Sequence, residues 1–357
     1  MKTVLHIINS LTIGGAETLL INSLTPGGLP EKCNNIVVYL QGESEIIKRI
    51  DKRVTVICLH YRGLNNFFST MKKLRQLIAA YKVDIVHSHL NPAGFYTRIA
   101  LPSKIKQLHT VHIMYSHDAE TGLMKKKLEQ FFLFKHKSTR LIFLSHLLEA
   151  DFLNTIAFKN KHFVLNNCIG DEFFNTPKKI TAAGAFKMVA IGSLRKQKNY
   201  PYLMEICRHL KGKHITLDIY GGGDTRALQQ FINENELPVR LMGAVTNVPE
   251  VLTGYDLFIM SSTFEGYPLS VIEAMATGLP CFLSNIASLK DTAKEYADYF
   301  ELDDAMAAAN AIVEMSGRRE MLLQKGLAAK TYAQQVGKKE LYVNRLVDIY
   351  ENVLSEL

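Results

Sequence analysis

Short apolar runs alternate with helical patterns along the whole of this 357-residue chain, and few folds satisfy that rhythm. Val4–Ile8, Ile36–Leu40, Val54–Leu59, Asp84–His87, Gln107–Val111 and Leu141–Leu144 read as strands, with helical stretches such as Ala16–Leu24, Asn65–Tyr81 and Lys125–Phe134 between them. A second series follows. Lys187–Gly192, Ile215–Tyr220, Val239–Met242, Leu257–Met260 and Pro280–Ser284 read as strands, separated by helices at Tyr200–Leu210, Thr225–Glu234, Glu250–Thr253 and Leu269–Thr277. Strand–helix alternation in both halves predicts two doubly wound α/β domains with parallel sheets. Ligands of such sheets bind at the carboxyl ends of the strands, so the expected active site is a cleft between two facing domains.

The expected boundaries are residues 1–175 for the first domain and 187–337 for the second. Between them, residues 176–186 form the linker, because EFFNTPKKITAAGAF after Asp171 has a proline, a glycine and no clear period. Residues 338–357 read as one amphipathic helix crossing back to the first domain. The five cysteines are scattered with no C-x-x-C pair, which argues against a disulfide framework or a zinc site and for a cytoplasmic location. MKTVLHIINS reads as a first strand rather than a signal peptide, and no stretch approaches the roughly 18 apolar residues of a membrane span. Charge is uneven. Residues 1–180 hold 24 Lys+Arg against 13 Asp+Glu, or +11, while residues 181–357 hold 18 against 21, or −3. Ten of the twelve histidines also lie in the first half, so the halves face different partners.

The stretch SSTFEGYPLSVIEAMATGLPCF, residues 261–282, reads as loop, helix and turn after a buried strand. Pro268 suits the first helical position, and Gly278 with Pro280 ends the helix. Amides near Leu269, Ser270 and Val271 form an anion site at the helix start. Glu273, among Val271, Ile272, Ala274 and Met275, is poorly placed for a solvated face and suits accepting hydrogen bonds from ribose hydroxyls. Glu265 lies in the preceding loop.

Other loops also suit phosphate. Gly14-Gly15-Ala16-Glu17 follows the first strand, but its spacing is not that of a dinucleotide fingerprint. Gly192 to Asn199 carries Arg195, Lys196 and Lys198 in four residues after a glycine turn, which suits a diphosphate. Gly221-Gly222-Gly223-Asp224 reads as a structural turn or as a second phosphate loop, the former favoured because the dinucleotide fingerprint is incomplete. His87-Ser88-His89 lacks acidic companions and reads as a structural or ligand-contacting pair rather than a metal site. No Asp-x-Asp occurs, which argues against a divalent metal bridging a nucleotide diphosphate.

With these residues in view, the chain resembles the retaining GT-B-fold glycosyltransferases of family 4 over almost its full length. The resemblance is carried by Gly14-Gly15-Ala16-Glu17, Gly192 through Asn199, the Gly243–Val248 stretch, and Glu265-Gly-Tyr-Pro with Glu273-Ala-Met-Ala-x-Gly-x-Pro. It implies two Rossmann-like domains, the first binding the acceptor and the second a nucleotide-sugar donor. It implies that Glu273 holds the ribose, that Glu265 sits by the transferred sugar with amides near Gly266 and Tyr267, and that Leu269 and Ser270 receive the diphosphate. Lys198 matches the family's phosphate-binding lysine. The family's arginine falls on Ser193, so Arg195 is the candidate substitute. The loop at Val245 contacts the base, and His112 reaches the donor sugar. No metal and no other cofactor is implied. The reaction implied moves a hexose or N-acetylhexosamine from a nucleotide diphosphate, UDP favoured, to a glycan or lipid-linked acceptor in cell-surface polysaccharide synthesis. The leaving phosphate oxygen takes the acceptor proton.

Lys125-Lys126-Lys127 with Phe131, Phe132, Phe134 and Lys135 either meets an anionic membrane surface peripherally or packs its apolar residues into the core. The alternatives to transfer are a nucleotide-sugar epimerase of the same architecture, a nucleotide-dependent oxidoreductase, and a basic nucleic-acid-binding non-enzyme. The last has no recognisable motif, and no nucleic-acid partner is expected.

Overall fold

The computed structural model describes residues 1–12, 14–42, 46–102, 105–116, 127–177 and 184–356. It divides into two compact units, Met1–Cys168 with Lys339–Leu357, and Ile169–Lys338. Lys125, Lys126 and residues 178–183 of the expected linker lie outside the described residues.

Among the described residues the first unit is built on seven strands: β1 (Thr3–Ile8), β2 (Asn34–Tyr39), β3 (Thr55–Cys58), β4 (Ile85–His89), β5 (Lys106–Val111), β6 (Thr139–Phe143) and β7 (His162–Val164). They pair in parallel in the order β3-β2-β1-β4-β5-β6-β7. β1 shows why its residues are strand. Val4, Leu5, Ile7 and Ile8 are all fully buried, as a parallel strand covered on both faces requires. Burial of each such side chain is worth about 1.5–3 kcal/mol. The Phe67–Ala80 helix presents Met71, Leu74 and Ile78 to the core formed with Leu5, Ile7, Ile36, Val38 and Val86.

The second unit repeats the plan with six strands: β8 (Phe186–Ile191), β9 (Ile215–Tyr220), β10 (Val239–Gly243), β11 (Leu257–Met260), β12 (Cys281–Ser284) and β13 (Asp298–Phe300). Their order is β10-β9-β8-β11-β12-β13, again parallel throughout. Each sheet therefore reverses direction once, between β1 and β4 or between β8 and β11, and such a switch point is where doubly wound sheets bind ligands.

The Lys339–Leu354 helix belongs to the first unit. Tyr342, Val343, Leu346, Ile349, Tyr350 and Val353 form its buried stripe at helical spacing. Lys339 Nζ donates to Thr25 Oγ1 at 3.1 Å and to the Pro26 carbonyl at 2.9 Å, and Arg140 pairs with Glu356 just beyond the helix.

Several expectations change in detail. β7 and β13 are only three residues long, too short for a periodic signal, and were not expected as strands. Asn91–Ala100 is helical, and so is Glu172–Asn175, where the sequence shows no period. That short helix packs on Leu269–Ala276, so tertiary contact stabilises what local pattern does not. Pro268 is the residue before the helix rather than its first position. Of the aromatic segment, Leu133 and Phe134 are buried, whereas Leu128, Phe131 and Phe132 are exposed.

Candidate active site

In the second unit the two strands at the switch point feed the two loops richest in candidate residues. β8 ends at Ile191, and the chain runs through Gly192–Asn199 into the Tyr200–His209 helix. β11 ends at Met260 and leads through Ser261–Pro268 into the Leu269–Ala276 helix. Lys198 and Glu265, 67 residues apart in sequence, meet here: Lys198 Nζ donates to Glu265 Oε1 at 2.8 Å. The same oxygen accepts from Ser262 Oγ at 2.6 Å. Both charged side chains are largely buried, 13% exposed for Lys198 and 8% for Glu265, so each keeps its charge in company.

The loops are stitched together beneath this pair. Ser261 Oγ donates to the carbonyls of Lys198 and Asn199 at 3.0 and 2.9 Å, and the Thr263 amide donates to the Gln197 carbonyl at 2.8 Å. Ser284 Oγ donates to the Ser262 carbonyl, and Tyr200 Oη to the Gly192 carbonyl at 2.7 Å. Burial pushes the Tyr200 hydroxyl above its ordinary range, which keeps it a donor. The Lys198 stem crosses Gly192, where a Cβ would come within 3.0 Å of Lys198 Cε. Asn199 takes the left-handed conformation at φ 51°, which asparagine tolerates better than most residues.

Glu273 is buried in the Leu269–Ala276 helix, as are Leu269 and Tyr267, while Ser270 and Gly266 are half-buried. Arg195 is exposed, and Val245 is half-buried after β10. Gly221 has a packing role: a Cβ there would fall 1.9 Å from the Gly192 carbonyl oxygen, and its amide donates to the Gly243 carbonyl at 2.8 Å. The triglycine therefore braces the Gly192 loop.

In the first unit the corresponding strand ends are lined by imidazoles. Gly14 and Gly15 open the helix after β1, and a Cβ at Gly15 would meet nothing within 4 Å. In the same unit His6, His87, His89 and His109 are completely or almost completely buried, and His112 is half-buried. His87 Nδ1 is 2.8 Å from Tyr350 Oη and its Nε2 is 2.7 Å from Thr110 Oγ1. His109 Nδ1 meets Ser88 Oγ at 3.0 Å, His6 Nε2 meets Asn35 Oδ1 at 3.1 Å, and His89 Nδ1 meets His112 Nε2 at 3.4 Å. Desolvation lowers His6 to about 4 and His109 and His112 to about 3, with His87 and His89 well below their ordinary value. All five are neutral near pH 7. Leu90, directly after His89, sits at φ 67°, an unfavourable conformation for leucine that marks this strand end as strained.

Among the described residues the single group of three metal-capable side chains is His6, His87 and His89, with ligand atoms within 4.8 Å of one another. Both nitrogens of His87 are already engaged by hydroxyls, so that residue would have to give up a partner to bind an ion. The carboxylates of the second unit form no such group among the described residues. Ser261, Ser262, Ser284 and Tyr200 were not singled out by sequence reasoning. Ser261 and Ser262 had a signal, polar residues directly after an apolar strand, whereas Ser284 at the end of β12 and Tyr200 at the start of its helix had none.

Two family models cover most of the chain: Glycosyltransferase Family 4 matches residues 3–173, and Glycosyl transferases group 1 matches residues 185–317. The chain is 26% identical over 316 residues to the UDP-Gal:alpha-D-GlcNAc-diphosphoundecaprenol alpha-1,3-galactosyltransferase of Escherichia coli, covering 78% of this chain and 82% of that one. It is 24% identical to the capsular polysaccharide biosynthesis glycosyltransferase CapH of Staphylococcus aureus, covering 85% and 87%. Among solved structures, HepE of Anabaena in complex with UDP-glucose superposes with a TM-score of 0.83 at 16% identity, over all of both chains. The sucrose-phosphate synthase of Thermosynechococcus elongatus superposes with a TM-score of 0.82, also at 16% identity over both full chains. These likenesses share one architecture of two Rossmann-like domains.

Proposed function

This chain belongs to the glycosyltransferases of family 4, GT-B in fold, and on that premise we propose that it transfers a hexose or N-acetylhexosamine from a UDP-sugar to a glycan or lipid-linked acceptor in cell-surface polysaccharide synthesis. The observation that carries this reading is the buried Lys198–Glu265–Ser262 group, set at the switch point beside the Glu273 helix. Relatives named for UDP-galactose transfer to a lipid diphosphate and for capsular polysaccharide support the substrate classes.

In this reading the diphosphate lies at the start of the Leu269–Ala276 helix, where the amides and the helix dipole favour an anion. Lys198 and Arg195 add positive charge, the Val245 loop meets the base, and Glu273 accepts from the ribose hydroxyls. Glu265, held by Lys198 and Ser262, stands with the Gly266 and Tyr267 amides at the transferred sugar. In this reading His112, Gly14 and Gly15 are the first unit's donor residues, and of the two glycines Gly15 has the open backbone. The bond between the sugar's anomeric carbon and the UDP oxygen breaks as the acceptor oxygen bonds to that carbon on the same face. The acceptor proton passes to the leaving phosphate oxygen. Configuration is retained, and cationic groups together with helix amides replace a metal.

Thermal-shift measurements with UDP, GDP, ADP and NAD in EDTA test this directly, since ligand that binds the native state stabilises it by mass action. The expected result is a shift with UDP that Glu273→Ala removes. A shift with NAD alone, or with none of the four, would overturn the reading, and turnover abolished by chelator would overturn its metal-free part.

The acceptor side has its own support. Phe131 is 66% exposed, Phe68 is 84% exposed, and ring contacts run between them through Phe132, Phe95, Tyr96 and Phe67. Lys127, Lys135, Lys72 and Lys73 are exposed on two of these three segments. An apolar ridge flanked by cations suits peripheral contact with an anionic membrane surface. Among the described residues no helix is long and apolar enough to cross a membrane. Sedimentation with anionic vesicles at low salt, weakened in Phe68→Ser/Phe131→Ser, is the expected outcome. No binding by the native protein would remove the membrane from the proposal.

A further inference from the structure

His112 Nε2 and His89 Nδ1 lie 3.4 Å apart, so one of these nitrogens carries the proton that the other accepts. The remaining nitrogen of His89, Nε2, is buried and has no hydrogen-bond partner. A neutral imidazole holds one proton, on one nitrogen or the other, which leaves two arrangements. If His112 donates, His89 must carry its own proton on Nε2, as a buried N–H with nothing to accept it. If His89 donates, its Nε2 is a bare lone pair. An orphaned buried donor is the rarer and costlier of the two.

We propose that His89 is a positioning residue: it donates its Nδ1 proton to His112 Nε2 and so fixes His112 as the Nδ1–H tautomer, a neutral donor toward oxygen atoms of the transferred sugar. The role at the sugar rests on the reading of His112 given above, whereas the tautomer does not. The surroundings hold His89 in place for this task. Its ring lies 4.3 Å from that of His87 and stacks on His6 at 6.0 Å. His87 is clamped at both nitrogens by Tyr350 Oη and Thr110 Oγ1, hydroxyls that can donate or accept as its own tautomer requires. The strained Leu90 follows immediately, which sets the direction in which the chain leaves the strand. A histidine's working nitrogen is set by what its other nitrogen meets, and here the partner is one ordinary-looking member of an H-x-H pair.

Nitrogen NMR of the native protein with isotope-labelled histidine tests the assignment, with His112→Gln identifying the signal. The expected result is a single Nδ1–H tautomer at His112. His89→Leu should abolish that preference. His89→Asn, whose amide nitrogen can occupy the place of Nδ1, should restore it. Hydrolysis of UDP-glucose, UDP-galactose and UDP-N-acetylglucosamine, with water as acceptor, gives a second readout. Any of them that the enzyme turns over should show kcat about tenfold lower in His89→Leu, KM little changed, and recovery in His89→Asn. An Nε2–H tautomer at His112 in the native protein, or a His89→Leu spectrum unchanged at His112, would overturn the proposal without any need for a substrate. Unchanged sugar turnover in His112→Gln would instead remove the role of His112 while leaving the tautomer standing.

Discussion

The two units use one sheet plan and opposite chemistry at its working edge. Both sheets reverse between their first and fourth strands, and both place polar side chains at that reversal. In the first unit these groups are His6, His87 and His89, joined by His109 on the neighbouring β5 and His112 just beyond it, and burial holds all five neutral. In the second they are a lysine and a glutamate that stay together at 2.8 Å. A low-dielectric strand end thus accepts polar groups in two ways, by removing the charge from titratable groups or by pairing charges too costly to bury singly. Each solution is followed by a residue at positive φ, Leu90 after His89 and Asn199 after Lys198.

Acid should separate the two solutions most. His6 and His109 have folded values of about 4 and about 3 against an ordinary 6.5, so the unfolded chain binds more protons between those limits. Their contribution is full above about pH 6.5 and falls away as pH drops toward the folded values. Each loses about 1.4 kcal/mol per pH unit, so at pH 5 the two together cost the first unit about 4 kcal/mol. Hydrogen exchange resolved on β1, β4 and β5 at pH 7 and pH 5 measures this. Equal protection at both would break the comparison.

Next in size is Lys198→Met, which leaves Glu265 buried without its cation and should cost the second unit about 3 kcal/mol. Lys198→Met/Glu265→Leu should regain most of that stability while remaining inactive, and denaturant unfolding of the three proteins compares them. A single variant as stable as the native protein would mean that the pair is solvated in practice. Glu273→Ala should weaken UDP binding by about 2 kcal/mol with the fold intact, as titration calorimetry would read it. Tyr350→Phe should have the smallest effect, about 1 kcal/mol on first-unit stability, and should leave UDP affinity unaltered. A loss of UDP affinity there would mean that the histidine cluster also contributes to nucleotide binding.

Much of this arrangement is legible along the chain. Ile215–Tyr220 and Leu257–Met260 were expected to the residue, because their apolar runs are bounded by glycine or polar residues on both sides. The Glu265 loop and the Glu273 helix were legible because a proline, a glycine and an unusual carboxylate among aliphatics punctuate them. The Ala305–Gly317 and Arg319–Val336 helices were not read, and other elements that escaped depend on a partner distant in sequence. The Glu172–Asn175 helix, the three-residue edge strands and the helix at Asn91–Ala100 draw their stability from neighbours rather than from a local period. His87 and His89 read locally as an unremarkable pair, since nothing near them in sequence announces Tyr350, 263 residues from His87.

By itself the sequence determined the α/β class, the two halves and the loops rich in candidate residues, because periodicity, punctuation and residue type act over a few positions. Tertiary structure decided which charges are paired, which histidines are neutral and which nitrogen of His89 is left without a partner. Those properties depend on burial and on contacts between distant segments, and a chain acquires both only when its strands come together.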